Sequence, residues 1–158
     1  MKLSPRLLFG AAVVLPVLAV CAALVSQHMF RMEPCPWCVL QRVIFLAVAL
    51  AALPGLLSTL RPVRLGSTAL VVVLAACGVA AALWQHFVAA ASASCNMTLA
   101  DKIVGGLGLD GWQPEVFEAR ASCADAAVNL FGLPYEFWSL GLFIALAAMA
   151  IKAAQSSR

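Results

Sequence analysis

Long, almost uninterrupted runs of apolar residues dominate this chain. They lie at about residues 7–28, 38–60, 67–91 and 133–151. Their apolar residues neither alternate with period two nor form a single helical stripe, a pattern typical of helices with apolar surfaces on every side. Since about 20 helical residues cross a hydrocarbon core of about 30 Å, each run is long enough to span a membrane. The pattern predicts an all-α fold: an integral membrane four-helix bundle forming a single domain over residues 1–158.

The predicted connections differ in length and polarity. Residues 29–37 form a short loop and residues 61–66 a tight turn, whereas residues 92–132 form one long polar loop. Four glycines predict a mobile middle for this long loop, and they are Gly105, Gly106, Gly108 and Gly111. Pro114 is expected to open a short helix, whose Val116 and Phe117 would rest on the membrane surface beside Trp112.

Composition agrees with a membrane protein and excludes other classes. Hydrophobic residues make up 64% of the chain and charged residues 11%. Soluble domains have about 45–50% apolar and about 25% charged residues, so a soluble fold is excluded, and the chain is too apolar to be disordered. A net charge of +3, without basic residues clustered beside aromatics, gives no nucleic-acid footprint.

The basic residues predict how the bundle is oriented in the membrane. One side carries basic residues and no acid, namely Lys2, Arg6, Arg61, Arg64, Lys152 and Arg158. The opposite side carries all 7 acidic residues, with Arg31, Arg42, Lys102 and Arg120. By the positive-inside rule, both termini are expected in the cytoplasm and the loops at 29–37 and 92–132 on the outward side of the membrane. A cleaved signal peptide at the N-terminus is the rival interpretation, but the first apolar run is longer than a usual signal core.

Four of the 6 cysteines fall on the predicted outward side. Cys35 and Cys38 open the second span as Cys-Pro-Trp-Cys, and Cys95 and Cys123 lie in the long loop. Because disulfides persist in oxidising compartments, this placement indicates disulfide chemistry, with three pairings possible from the sequence. Cys21 and Cys77 lie within spans and are expected to be buried, inert packing residues.

The Cys-Pro-Trp-Cys segment can be interpreted in several ways. Haem attachment is excluded because Val39, and not a histidine, follows the second cysteine. A thioredoxin-like motif needs a soluble βαβ context, which the flanking apolar helix does not provide. A four-cysteine zinc site would need thiolates kept reduced in an oxidising compartment, so no metal is expected. A pair of static structural disulfides remains open.

Two features favour redox chemistry over static disulfides. Cys38 lies in the first turn of the predicted helix, where unpaired N–H groups and the helix dipole favour the nucleophilic thiolate. Arg42 follows four residues later on the same helix face, and an arginine at the top of a membrane helix marks a functional site. A thiolate beside a cation at the lipid boundary suggests electron transfer to a lipid-soluble acceptor, for which a quinone is suitable. His86, near the outward end of the third span, is a candidate hydrogen-bond donor to the same ligand.

These residues resemble the bacterial disulfide bond formation protein B (DsbB) family over nearly the whole chain. The resemblance comprises four spans, a Cys-x-x-Cys opening the second span, an arginine four residues after it, a histidine near the end of the third span, and two loop cysteines. It also includes the strings at 35–42, 112–117 and 131–134. It implies an inner-membrane enzyme that reoxidises a periplasmic DsbA-like thiol oxidase and reduces a membrane quinone, either ubiquinone or menaquinone.

The resemblance also implies a role for each cysteine. Cys95 and Cys123 would form the loop disulfide that the partner attacks, with Cys95 taking the mixed disulfide. Cys123 would then attack the Cys35–Cys38 disulfide at Cys35. Cys38 would be left as a thiolate beside the quinone, with Arg42 stabilising the charge of both.

Two positions depart from the family pattern, and one other family is similar. Gln41 stands where some members have an acid, and Val128 where some have an aromatic residue. Quinone reductases of the vitamin K epoxide reductase type also combine a loop cysteine pair with a membrane Cys-x-x-Cys, but their motif lies near the last core span. No feature demands a dimer, so a monomer is expected.

Overall fold

The fold is a bundle of four long helices, as the apolar runs predict. The computed structural model describes residues 4–91 and 97–156. Its four long helices are each long and apolar enough to cross a membrane. The prediction of an all-α membrane bundle is therefore confirmed.

The helices follow one another along the chain with short segments between them. The four long helices are α1 (Pro5–Phe30), α2 (Pro36–Leu57), α3 (Arg61–Trp84) and α7 (Tyr135–Gln155), and α3 continues as a π-helical turn, Gln85–Ala89. Between this turn and α7 lie α4 (Leu99–Gly106), α5 (Leu109–Trp112), α6 (Pro114–Phe117) and the strands β1 (Asn129–Leu130) and β2 (Leu133–Pro134). We call the end of the bundle where α2 begins the cysteine end.

Proline and capping residues determine where the helices begin. The Ser4 hydroxyl caps α1 by accepting a hydrogen bond from the Leu7 N–H at 3.3 Å. Pro36 opens α2, where its missing N–H costs nothing. Since α1 extends to Phe30, the connection between α1 and α2 is shorter than the predicted loop at 29–37.

The predicted tight turn at residues 61–66 is wrong, because these residues form the first turns of α3. Pro62 fits the first turn of a helix, where an N–H has no helical partner. The connection from α2 is instead residues 58–60, in which the Leu60 N–H donates to the Ser58 hydroxyl at 3.1 Å. The Arg64 guanidinium then donates to the Ser58 carbonyl at 3.0 Å.

The two prolines within helices do not end them. Helix α1 continues through Pro16 and α2 through Pro54. After Pro54, the Gly55 N–H donates to the Ser67 hydroxyl at 3.0 Å, and that hydroxyl donates to the Ala51 carbonyl. The Ser67 side chain of α3 thus forms hydrogen bonds with backbone groups near Pro54, as membrane helices require.

Close packing of aromatic rings and glycines joins the helices. The Phe143 ring of α7 stacks on the Phe45 ring of α2, with centroids 4.0 Å apart. Gly78 of α3 makes room for Phe143, since a Cβ atom there would lie 2.5 Å from the ring. Gly55 of α2 similarly faces the ring of Phe9 on α1. The bundle core therefore depends on close approach of backbone to ring at two glycines.

The segment after residue 97 is more helical than its glycines suggest. Thr98 and Asp101 form a capping box that begins α4, and Ala100 and Val104 are buried. Gly105 and Gly106 thus end a capped helix instead of lying in an irregular segment, and the mobility of this stretch stays a prediction. Among the glycines of this stretch, only the turn at Gly108, with φ of 66°, needs the conformational freedom of glycine.

The short helix predicted at Pro114 is confirmed as α6, but its surroundings differ from the expectation. Phe117 is buried in the protein core, so it is not available to rest on a membrane surface. Trp112, in contrast, is exposed. Packing against α2 thus replaces the predicted membrane contact of Phe117.

A two-residue hairpin leads into α7. Strands β1 and β2 pair antiparallel around Phe131 and Gly132, both of which have positive φ, as a type I′ turn requires. The Tyr135 N–H donates to the Val128 carbonyl at 3.0 Å. This hairpin occupies the first residues of the predicted fourth span, so α7 begins at Tyr135 rather than near residue 133.

The Gly78–Phe143 contact predicts a difference between two alanine substitutions on α3. Gly78→Ala places a methyl group inside contact distance of the Phe143 ring and should destabilise the bundle by about 1–3 kcal/mol. Gly66→Ala, where no atom lies within 4 Å, should be neutral or stabilise the helix by about 0.5–1 kcal/mol. Thermal unfolding in detergent measures both, and equal unfolding temperatures for the two variants would contradict this account of the packing.

Candidate functional site

Cys35 lies between two other cysteines at the start of α2. Its side chain is fully buried, and its sulfur caps the helix by accepting the Cys38 N–H at 3.2 Å. The Cys35 thiol is also hydrogen bonded to the side chains of Cys123 and Cys38. Of the six cysteines, the five that the structure describes are free thiols.

Backbone hydrogen bonds hold the segment before Cys123 against the chain just before Cys35. The Pro34 carbonyl accepts the N–H groups of Arg120, at 3.0 Å, and Ala121, at 3.3 Å. Cys123 is buried two residues later. The long loop therefore returns to the cysteine end of the bundle and brings Cys123 to Cys35.

The hydrogen bond between Cys35 and Cys123 shifts the pKa values of the two thiols in opposite directions. The hydrogen bonds with Cys123 and Cys38, together with burial, raise the pKa of the Cys35 thiol far above its ordinary value. The hydrogen bond from Cys35 lowers the pKa of Cys123, against the opposing effect of burial. Cys123 is therefore favoured as the thiolate of the two and Cys35 as the thiol.

Cys38 receives a hydrogen bond from an amide side chain on a neighbouring helix. Gln85, the first residue of the π-helical turn, donates its Nε2 to the Cys38 sulfur at 3.3 Å. Gln41 donates its own Nε2 to Gln85 Oε1 at 2.7 Å. Both glutamines are buried, so this polar pair lies within the bundle.

Arg42 connects α2 to α1 and to the loop. Its Nη1 donates to Gln27 Oε1 at 2.9 Å and to the Val116 carbonyl at 3.0 Å. Gln27 in turn donates to the Glu115 carbonyl at 3.2 Å. The buried guanidinium is thus hydrogen bonded on two sides, which offsets the cost of removing it from water.

A cavity of about 750 Å³ opens beside these residues. Cys38, Gln41, Arg42, Gln85 and Tyr135 line one part of it. Its apolar wall includes Ala19, Ala23, Phe45 and Leu142. The cavity has the size and the mixture of apolar wall and few polar groups typical of small-molecule sites.

His86 lies beside this cavity rather than in its wall. Its Nδ1 is 2.7 Å from Oε1 of Glu136, a buried residue that does line the cavity. The imidazole also packs edge-on against the rings of Phe87 and Phe137. In the part of the chain that the structure describes, Gln85 and not His86 is the cavity residue of the π-helical turn.

The structure brings most, but not all, of the predicted site residues together. Cys35, Cys38, Cys123 and Arg42 lie at the cysteine end, whereas the prediction for Cys95 lies outside the described residues. Sequence reasoning assigned no role to the polar residues Gln27, Gln41, Gln85 and Tyr135. The three glutamines stand in otherwise apolar helices, and polar residues there are costly unless partnered, which was the available signal.

The exposure of Cys21 and Cys77 differs from the prediction. Both were expected to be buried packing residues, yet both are exposed on the outside of the bundle. A cysteine tolerates either environment in an apolar helix, so its position in the sequence does not tell which way it faces.

Within residues 4–91 and 97–156, no group of three or more His, Cys, Asp or Glu side chains is placed to hold a metal ion.

The comparisons with known proteins agree over almost the whole chain. The profile of the family described as disulfide bond formation protein DsbB matches residues 5–153. A disulfide bond formation protein B from Aromatoleum aromaticum is 32% identical over 149 residues, with 89% of each chain covered. The protein of the same description from Herminiimonas arsenicoxydans is 30% identical, with 98% of this chain and 97% of the relative covered.

A third relative comes from Escherichia coli strain K12. This disulfide bond formation protein B is 30% identical over 133 residues, covering 82% of this chain and 74% of the relative. With the family match and the four membrane-spanning helices, the conclusion is that this chain belongs to the DsbB family of membrane proteins of disulfide bond formation.

Proposed function

We propose that this protein is a protein dithiol:quinone oxidoreductase of the bacterial inner membrane. It reoxidises a periplasmic DsbA-like thiol oxidase and passes the electrons through two cysteine pairs to a membrane quinone. One observation carries the proposal: Cys35 is hydrogen bonded to both Cys123 and Cys38, and Cys38 lines a cavity. A continuous path of sulfur contacts thus leads from the loop to a ligand-sized space.

The first step takes place at the loop pair, Cys95 and Cys123. A thiolate of the reduced partner attacks the Cys95 sulfur, the Cys95–Cys123 bond breaks, and Cys123 leaves as a thiolate. The second partner thiolate then attacks the mixed disulfide, which frees Cys95 as a thiolate and oxidises the partner. Two electrons have then moved from the partner to the loop pair. In this step Cys35 is held in the Cys35–Cys38 disulfide and has no S–H to donate, so the leaving Cys123 thiolate is stabilised by its backbone hydrogen bond with Trp37.

The second step transfers those electrons to the pair on α2. The Cys123 thiolate attacks Cys35 of the Cys35–Cys38 disulfide, a Cys35–Cys123 bond forms, and Cys38 leaves as a thiolate. Attack of the Cys95 thiolate on Cys123 restores the loop disulfide and frees Cys35. The helix N-terminus and the Gln85 donor both favour the thiolate form of Cys38.

The cavity residues suit a quinone. The volume of about 750 Å³ accommodates a quinone headgroup, and the apolar wall suits its ring and the start of its tail. Arg42 and Tyr135 supply hydrogen-bond donors for the headgroup oxygens. A bound quinone, either ubiquinone or menaquinone, accepts two electrons and two protons. Arg42 lines the cavity with Cys38, and its positive charge compensates negative charge there. His86 does not line the cavity, so it affects a bound quinone only through its contact with Glu136.

The charge distribution supports the proposed orientation and the lipid bilayer as environment. The first turns of α3 carry Arg61 and Arg64, whereas Glu33, Asp101, Glu115 and Asp125 lie at the cysteine end. By the positive-inside rule, this distribution supports a periplasmic cysteine end and cytoplasmic termini. A monomer is sufficient for this function, since the described cysteines of the relay meet within one chain.

The relay predicts that the proposed cysteines are required and the remaining two are not. With a reduced DsbA-like protein and a soluble quinone, Cys38→Ser and Cys95→Ser should each lose dithiol-dependent quinone reduction, because each removes a sulfur that must carry electrons. Cys21→Ser and Cys77→Ser should retain the wild-type rate, because both residues lie on the outside of the bundle. The quinone absorbance measures turnover. A folded wild-type protein that turns over with no quinone would instead favour static disulfides.

Arg42 should determine the affinity for the quinone. Arg42→Met removes a charge-assisted hydrogen bond worth about 1.5–3 kcal/mol, so the KM for quinone should rise roughly ten-fold or more. Arg42→Lys keeps the charge and should fall between this variant and the wild type. Arg120→Met, which removes an exposed arginine paired with Glu115 and Glu118, is the matched control. An unchanged KM in Arg42→Met would contradict the proposed site.

A further inference from the structure

The buried amide pair of Gln41 and Gln85 is a further feature of the site. The two side chains come from α2 and from the turn that ends α3, and each is 4% exposed. They are connected in series, since Gln41 donates to Gln85 and Gln85 donates to the Cys38 sulfur. Burying two amides in an apolar bundle is unfavourable unless each is hydrogen bonded, so their arrangement is strongly constrained.

The direction of these hydrogen bonds determines which group of the Gln85 amide faces the Cys38 sulfur. An amide presents an N–H donor on one side and a carbonyl acceptor on the other. Because Gln41 Nε2 donates to Gln85 Oε1, the carbonyl of Gln85 is held toward Gln41 and its N–H group toward Cys38. A sulfur that carries negative charge is stabilised by a donor and opposed by a carbonyl.

The π-helical turn is a second, independent observation. Gln85 begins this turn, and the Ala90 N–H donates to the Gln85 carbonyl at 2.9 Å. The turn presents Gln85 to α2 while the next residue, His86, contacts Glu136 on α7. Such turns are rare and occur frequently at functional sites. Two successive side chains at this turn thus contact different helices.

We propose that Gln85 is a positioning residue that stabilises the Cys38 thiolate through one N–H···S hydrogen bond, and that Gln41 acts through Gln85 by fixing the orientation of its amide. The inference rests on the proposed function, in which Cys38 is the cysteine next to the acceptor. In the part of the chain that the structure describes, Arg42 donates its hydrogen bonds to the Gln27 side chain and to the Val116 backbone carbonyl. The Gln85 amide, a neutral donor, therefore serves the Cys38 sulfur beside the Cys35 thiol, while the guanidinium remains engaged with α1 and the loop.

Alkylation of Cys38 tests the proposal without partner or quinone. The full chain in detergent is reduced, freed of reductant and treated with iodoacetamide at neutral pH, and each cysteine is quantified by mass spectrometry. The reacting species is the thiolate, so loss of a hydrogen bond to a charged group should slow Cys38 alkylation about ten-fold in Gln85→Met. Cys123 in the same sample should stay within about two-fold of the wild-type rate, because its hydrogen bond comes from Cys35.

Gln41→Met separates positioning from simple packing. This variant leaves the Gln85 amide free to rotate, so Cys38 alkylation should slow by a smaller factor, about two- to five-fold. In a Gln85→Met background, Gln41→Met should cause no further slowing, since its effect passes through the amide already removed. Thr68→Val, which removes a hydrogen bond from α3 to the Ala150 carbonyl away from the site, is the matched control and should leave the Cys38 rate unchanged.

Three results would overturn the proposal. They are an unchanged Cys38 rate in folded Gln85→Met, equal slowing at Cys38 and Cys123, and additive effects of the two glutamine substitutions. Each concerns only the thiol chemistry of this chain. Failure of the proposed function would instead appear as absent quinone turnover in the wild type, so the two failures are distinguishable.

Discussion

The hydrogen bonds of the Cys35 sulfur are the contact on which the rest of the site depends. This one atom caps the first turn of α2 and contacts both Cys38 and Cys123. Its position is fixed from the chain on either side, because the Pro34 carbonyl holds the loop and Pro36 begins the helix. Three consecutive residues therefore attach the loop, contact the other cysteine sulfurs and begin the helix, namely Pro34, Cys35 and Pro36. Movement of any one of them would separate the loop cysteine from the bundle.

A small polar interior within an apolar bundle supports this contact. Arg42, Gln27, Gln41 and Gln85 are buried, and their hydrogen bonds connect α1, α2, the end of α3 and the backbone of α6. Lipid provides no hydrogen bonds to unpaired groups, so each of these side chains is stable only while its partners stay in place. The network therefore fixes the helices relative to one another where the cavity opens. Deeper in the bundle, the Phe143 ring packs on Gly78 and the Phe9 ring on Gly55, which joins α3 to α7 and α1 to α2 by shape alone.

Hydrophobic runs were sufficient to predict the four helices, because crossing a bilayer demands length and apolar surface and little else. They could not show where α3 begins, since Arg61 and Pro62 are polar or helix-breaking residues that are acceptable in a first turn. The spacing of Cys35, Cys38 and Arg42 indicated the site, because all three lie at one helix start. The choice of Gln85 over His86 as the cavity residue depends on which side of the end of α3 faces α2, which no local pattern reveals. The outward orientation of Cys21 and Cys77 similarly depends on tertiary packing.

The central claim is that electrons pass from Cys123 to Cys38 through Cys35. The most direct test mixes the fully oxidised protein with an equimolar reduced DsbA-like protein in the absence of quinone, quenches with acid and maps the disulfides by mass spectrometry. Because Cys35 contacts Cys123 and carries the leaving group Cys38, samples quenched before the Cys95 thiolate restores the loop disulfide should contain a Cys35–Cys123 disulfide together with a free Cys38. A Cys38–Cys123 disulfide with Cys35 free would contradict the central claim.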